Sequence, residues 1–255
     1  MNKNAEPALR LSRLFFILII FSILLTTKYL LSQEVFPSWF KKLPTPPSGY
    51  RFSVGYAGKY INKDLGKLAA LENALKNLYK QDSIRLKFRL EEISDGRMRI
   101  THPSFIIIYD SSKLNWNVDY KIVDSLYTDK SYFVLIISPS DINVNVAKRI
   151  LNDWEEKPDW VKLKTEKDKN IGIGIVSNYI SWVRAWQDAD DFSYFDLAKA
   201  KELNANSIHT KRFFGFLIES KIIKQDFDTI LRNCVVIERW YDKTNDIYYS
   251  LCVEY

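Results

Sequence analysis

The chain repeats itself. Pro37-Ser38-Trp39-Phe40-Lys41 returns as Pro158-Asp159-Trp160-Val161-Lys162, and the stretch from Phe52 to Ile61 returns as Ile171 to Ile180, at offsets of 121 and 119 residues. The ends agree as well: Ile122-Val123-Asp124-Ser125-Leu126-Tyr127 matches Val236-Ile237-Glu238-Arg239-Trp240-Tyr241. A polar turn and a second apolar run follow each time, Tyr132 to Ile137 and Tyr248 to Val253. Aromatic and β-branched strands around a polar turn read as a hairpin closing each copy. The repeat therefore limits the fold to two units built alike, each of roughly ninety residues and large enough for a modest core.

Ahead of the repeat, Leu14 to Leu25 is apolar except for Ser22, follows Arg10 and Arg13, and extends in weaker form to Leu31. Twelve apolar residues fit a signal-peptide core and eighteen just span a bilayer, so residues 1–33 read as a signal or an uncleaved anchor. The basic flank places the rest of the chain outside the cytoplasm. Residues 34–50 contain Pro37, Pro44, Pro46 and Pro47 and read as an extended tether. The expected organisation is a first α+β module at 51–139, a linker helix at 140–157 and a second module at 158–255. The net charge of +6 advertises no nucleic-acid surface: residues 1–31 carry +3 of it, leaving 33 basic against 30 acidic groups.

Periodicity fills in each module. After a strand at Phe52 to Ala57, Asn62 caps a helix reaching about Gln81, with Leu65, Leu68, Leu71, Leu75 and Leu78 as its apolar face. Ile84 to Leu90 alternates strictly, which turns Arg85, Lys87 and Arg89 outward. Asp95-Gly96 is a two-residue turn signal that sets Glu92 opposite Arg99, with a bulge near Glu91 to reconcile the apolar phase, and Phe105 to Tyr109 is a further strand. In the linker, Ser140 or Asp141 caps a helix with Val146, Ala147, Ile150, Leu151 and Trp154 on one face. The second module replaces the simple helix by Ser181 to Leu203, broken near Asp190-Asp191 and rich in Trp182, Trp186, Phe192, Tyr194 and Phe195. The class is α+β: two tandem modules, each a helix layer on a mainly antiparallel sheet.

Pro37 and Trp39, Pro46-Pro47, Val54-Gly55-Tyr56-Ala57, and Ala69-Ala70 through Asn73-Ala74-Leu75 together resemble the Lpp-twenty bacterial envelope lipoprotein family. The second copy matches at Pro158, Trp160 and Gly174, and the chain lacks the lipid-bearing cysteine after its apolar run. The resemblance implies an envelope protein with small α+β domains.

Chemistry-bearing motifs are sparse. Gly172-x-Gly174 has Ser177 where a dinucleotide loop needs glycine and lies inside a strand, so close strand packing, as at Gly55, is expected. His102 and His209 lack metal-ligand spacing. Glu91-Glu92, Glu155-Glu156 and Asp190-Asp191 read as turns or solvated helix ends. Cys234 and Cys252 fall on the last hairpin; with Trp240 opposite Ile247 they lie on different sheet faces, as ordinary buried thiols. Trp39 and Trp160 are expected to plug the open end of each module. Trp182, Trp186, Phe192 and Phe195 are either core or a partner-binding groove. Arg85, Lys87 and Arg89 are either a solvated outer face or a contact for anionic lipid or polymer.

The expectation is a non-enzymatic bacterial cell-envelope protein, inner-membrane anchored with periplasmic modules or exported if the signal is cleaved. It binds other envelope proteins, with no cofactor, metal or nucleic acid. The alternatives are an envelope hydrolase with a cleft between modules and a protein that binds anionic lipid or polymer.

Overall fold

Short antiparallel sheets, each fed by apolar alternation, organise the chain. The computed structural model describes residues 35–94, 99–109, 118–147, 149–151, 154, 156–163, 170–177, 179–206 and 221–255. The N-terminal segment, the Asp95-Gly96 turn and His209 lie outside the described residues. The elements in order are β1 (Phe36–Pro37), one helical turn (Ser38–Lys41), β2 (Arg51–Ala57), α1 (Lys63–Asp82), β3 (Ile84–Ser94), β4 (Arg99–Tyr109), β5 (Lys121–Tyr127), β6 (Tyr132–Ser138) and β7 (Ile150–Leu151). A 3₁₀ turn (Asp159–Lys162), β8 (Ile171–Ser177), α2 (Trp182–Asn206), β9 (Lys221–Leu231), β10 (Cys234–Asp242) and β11 (Ile247–Glu254) follow. The sheets run β2-β6-β5, β8-β11-β10, β4-β3-β9 and β1-β7. The protein is thus a mixed α+β chain with antiparallel sheets.

The first and second three-stranded sheets share one strand order: opening strand, last strand, penultimate strand. Each carries its bulge at the same place, at Val123 between Ile122 and Asp124 and at Ile237 between Val236 and Glu238. Each has its tryptophan on the acid just past that bulge, Trp39 Nε1 donating to Asp124 at 2.8 Å and Trp160 Nε1 to Glu238 at 2.6 Å. The glycines explain how the helices approach. A Cβ on Gly55 would lie 1.9 Å from the Ala70 carbonyl oxygen, and one on Gly174 would lie 1.8 Å from that of Ala189. Strand and helix backbones touch at both positions, and no larger residue fits.

That approach decides which face of α1 is buried. Asn62 caps the helix as expected, its Oδ1 accepting from Asp64 N at 2.9 Å. Leu65 and Leu68, however, are 53% and 45% exposed, while Gly66, Ala70, Ala74, Leu75 and Leu78 are buried. Leu75 and Leu78 of the expected face are buried, but Gly66, Ala70 and Ala74 take the place of Leu65 and Leu68, because a close backbone leaves no room for longer side chains there. A ladder of amides runs beside them: Asn73 Oδ1 accepts from Tyr56 N, Asn77 Nδ2 donates to Val54 O and Gln81 Nε2 donates to Phe52 O, at 2.8 to 3.0 Å. These side chains recur every helical turn and satisfy the outer edge of β2, which no strand covers among the described residues.

Phe36 to Tyr255 pack as one compact unit. Both faces of β6 are covered, so all seven of its residues are buried. Tyr132, Val134 and Ile136 pack with α1, while Phe133, Leu135 and Ile137 join a core that also holds Trp186, Ala189, Val176 and Tyr248 from the second half.

Several expectations are corrected. The stretch 34–50 is not a free tether: Phe36, Trp39 and Phe40 sit in the shared core, at most 7% exposed. The described part of 140–157 contains no helix; Ile150–Leu151 pairs with Phe36–Pro37, because the apolar residues there have a strand edge to join. β3 and β4 pair in unbroken register, Glu92 opposite Thr101 and Ser94 opposite Arg99, with no bulge at Glu91, and Arg99–Tyr109 is one strand. α2 is continuous through Asp190-Asp191, because both acids find cationic partners, described below. In the last hairpin Trp240 faces Tyr249, and Cys234 and Val236 face Glu254 and Cys252. The two cysteines therefore share one sheet face, both buried and unbonded.

Candidate functional site

Arg239 on β10 and Asp190 on α2 meet in the interior, 5% and 6% exposed. Arg239 donates from Nε at 3.0 Å and from Nη2 at 2.8 Å to the two oxygens of Asp190, and from Nη1 at 3.1 Å to the Phe40 carbonyl. Tyr56 Oη at 3.0 Å and Ser250 Oγ at 2.7 Å also donate to Asp190. The guanidinium lies 4.8 Å over the Phe40 ring. Lys80 on α1 donates to Asp191 at 2.7 Å and lies over Tyr194. Burial drives the Tyr56 hydroxyl well above its ordinary range, and the Asp190 carboxylate beside it adds to this. Burial opposes the charge on Arg239, but Asp190 and Tyr56 outweigh it and hold the guanidinium more firmly protonated. A carboxylate accepting four hydrogen bonds has its lone pairs committed, so Asp190 is a cohesive element rather than an acid or base. The signal in sequence was the phase of the Asp190-Asp191 pair on an aromatic helix, read there as a break.

Beside this network lies a groove of about 750 Å³. One wall is the segment from Leu43 to Tyr50. Leu43 N donates to Ile237 O at 2.8 Å and Lys42 pairs with Glu238, which fixes the segment to β10 at one point. The segment then departs through Pro44, Pro46 and Pro47 and turns at Gly49, whose φ of +84° demands glycine, with Tyr50 N donating to Pro47 O at 3.0 Å. Val235, Ile237 and Tyr255 form the other side. β10 borders its sheet, and beside the Leu43 contact its Val235 and Ile237 line the groove, with no strand paired to that edge among the described residues. A cavity of about 20 Å³, water-sized, continues from Leu43 and Phe52 inward to Arg239 and Tyr194.

The sequence-predicted residues fall elsewhere. Trp186 is fully buried, its ring against Phe40, Trp154 and Tyr248; Trp182 stacks on Tyr56 and Phe133. Phe195 is buried and Phe192 half-buried against it. The four are core, not a partner surface, because α2 packs against the core of both halves and has little open face. Trp186 Nε1 has no partner among these rings. Arg85 is outward as expected but committed to Asp228, with Nε at 2.6 Å; Asp228 is held below the usual carboxylate range by that bond. Across the β3–β9 register Lys87 is opposite Asp228 and Arg89 is opposite Asp226, and Arg85 and Lys87 both stand beside Asp228 rather than open to anions. The side chains of Arg89, Glu91, Glu92 and His102 lie outside the described residues. No group of metal-ligating side chains occurs among the described residues, and no described helix is long and apolar enough to cross a membrane.

What fold and groove define is a class: a mixed α+β protein with antiparallel sheets and an apolar groove along an open strand edge. Comparison with protein-family models, curated proteins and solved structures finds no match.

Proposed function

We propose that this chain is a non-enzymatic bacterial cell-envelope protein, anchored or exported through residues 1–33, that docks an extended segment of another envelope protein in the groove under its proline-rich loop. It is built from two copies of one Lpp-twenty-like α+β unit, fused across a shared core. The observation that carries the docking reading is the apolar groove against the open edge of β10. An extended peptide gains backbone hydrogen bonds from such an edge and specificity from the apolar pockets beside it. The recurrence of strand order, bulge, tryptophan–acid bond and glycine contact at near-constant offset supports the duplication.

The test is photo-crosslinking in intact cells. A crosslinker replacing exposed Thr45, at the lip of the groove, is expected to give discrete protein adducts that fade when Tyr255→Lys places a charge opposite. One replacing Lys243, in the β10–β11 turn away from the groove, is expected to give none of those adducts. Absence of adducts from Thr45, or adducts indifferent to Tyr255→Lys, refutes the reading.

A further inference from the structure

Two loops that play no part in the groove carry the same exposed residue. Ile61, between β2 and α1, and Ile180, just before α2, stand 119 positions apart and are 106% and 107% exposed. A tyrosine precedes each, Tyr60 42% exposed and Tyr179 held by a hydrogen bond to Asp188. Single exposed apolar residues are ordinary on any surface. These two are not scattered. A Cβ on Gly58 would lie 3.2 Å from Val183 Cγ2, so the loop after β2 abuts the first turn of α2, and each isoleucine is within three residues, roughly 11 Å of chain, of that contact. Leu65 and Leu68, on the first two turns of α1 just after the Ile61 loop, are exposed too, which widens the apolar patch.

The end of the molecule that bears this patch is defined by register. Ala57 faces Tyr132 and Ser177 faces Ile247, so the turns after β2, β5 and β10 and the lead-in to α2 lie together. The opposite strand ends, Arg51 with Ser138 and Ile171 with Val253, lie toward the groove and Tyr255. Phe36, where the chain joins the body, belongs to the first end: its ring is 5.8 Å from Trp182 and 5.6 Å from Phe133, and Phe133 faces Tyr56. Of the charges there, Lys63 pairs with Asp129, Lys67 with Asp64 and Arg184 with Asp188, while Lys59 is exposed in the Ile61 loop.

We infer that this end rests on the bilayer that residues 1–33 enter, with Ile61 and Ile180 inserted at the headgroup–acyl boundary and Leu65 and Leu68 beside them. The isoleucines and leucines make the contact, with the exposed Lys59 beside Ile61 at headgroup level, and the groove at the far end faces away from the membrane toward soluble or opposing partners. The inference rests on the reading of residues 1–33 as a membrane segment.

The full chain, reconstituted in vesicles of phosphatidylethanolamine and phosphatidylglycerol, tests both. Ile61→Cys, Ile180→Cys and Tyr255→Cys are made singly and labelled with an environment-sensitive dye; Cys234 and Cys252 are fully buried and stay unlabelled. Dyes at 61 and 180 are expected to be quenched by aqueous iodide at least about threefold less than the dye at 255, at low and high salt alike. Equal quenching at all three positions in a chain that resists alkaline carbonate extraction overturns the inference and leaves the anchor standing. Release by carbonate overturns the anchor and the inference together. Shielding that disappears in high salt overturns the apolar contact in favour of electrostatic attachment.

Discussion

Asp190→Asn replaces the buried carboxylate by a neutral amide of the same shape. The wild-type group accepts from Arg239 twice, at 3.0 and 2.8 Å, from Tyr56 at 3.0 Å and from Ser250 at 2.7 Å. The amide leaves Arg239, 5% exposed, with a charge that water cannot reach. Breaking a buried pair from one side costs about 3–5 kcal/mol, a large share of the roughly 5–15 kcal/mol that holds a domain together. For a body of this size that corresponds to a fall in Tm of about 6–20 °C. Removing both charges relieves the stranded cation, so Asp190→Leu combined with Arg239→Met is expected to be at least about 2 kcal/mol more stable than Asp190→Leu alone. Urea denaturation of the full chain in mild detergent, followed by tryptophan fluorescence, measures each arm of the cycle. An Asp190→Asn midpoint within about 0.5 kcal/mol of wild type, or a strictly additive double variant, refutes the assignment of the pair as a cohesive element of the interior.

Gly55→Ala and Gly174→Ala each push a helix off its strand, since the new Cβ meets a carbonyl oxygen at 1.9 or 1.8 Å; a loss of about 1–3 kcal/mol in urea melts is expected, and a neutral effect contradicts the contact. Alkali should unfold the protein. The Tyr56, Tyr194 and Cys252 values are raised by burial, so the stability they contribute is full below their ordinary values and is lost as pH rises through the higher folded ones. Circular dichroism from pH 8 to 12 should show that loss at the alkaline end, and Tyr56→Phe should reduce it.

The parts of the fold legible in sequence are those that depend on neighbours in the chain. Asn62 caps its helix because a cap is a local hydrogen bond, and Gly55 and Gly174 pack against helices because glycine in a strand has few other uses. The missed parts depend on distant partners. The leucines at 65 and 68 keep helical spacing, yet the buried face is set by how close β2 comes. The Ile150–Leu151 segment has a plausible helical period, but an available edge at Phe36–Pro37 took it as a strand. The groove was least legible, because neither the proline loop nor β10 reads as a binding element alone. The Leu43 to Ile237 hydrogen bond and the Lys42–Glu238 pair bring them side by side.

The two helices show how similar strand–helix frames can hold two roles. On α1, Asn73 and Asn77 bond to the β2 edge; at the same offset of 119, α2 carries Phe192 and Asp196. Asp196 keeps the contact in inverted form, accepting from Ile173 N at 2.9 Å where Asn77 donates to Val54 O. Phe192 abandons it and packs against the cores on both sides. An outer helix can spend its positions on amides that seal a strand edge, whereas a helix against both cores gains more from aromatic burial. The same logic binds the lead-in segment: the Phe40 ring packs on Trp186 and its carbonyl receives Arg239, so residues counted with the first half complete the interior of the second. Cutting between the halves would therefore strip Arg239 of one partner and open the face of Trp186. The repeat that makes the chain look like two separable modules is held together by the residues in which its copies differ.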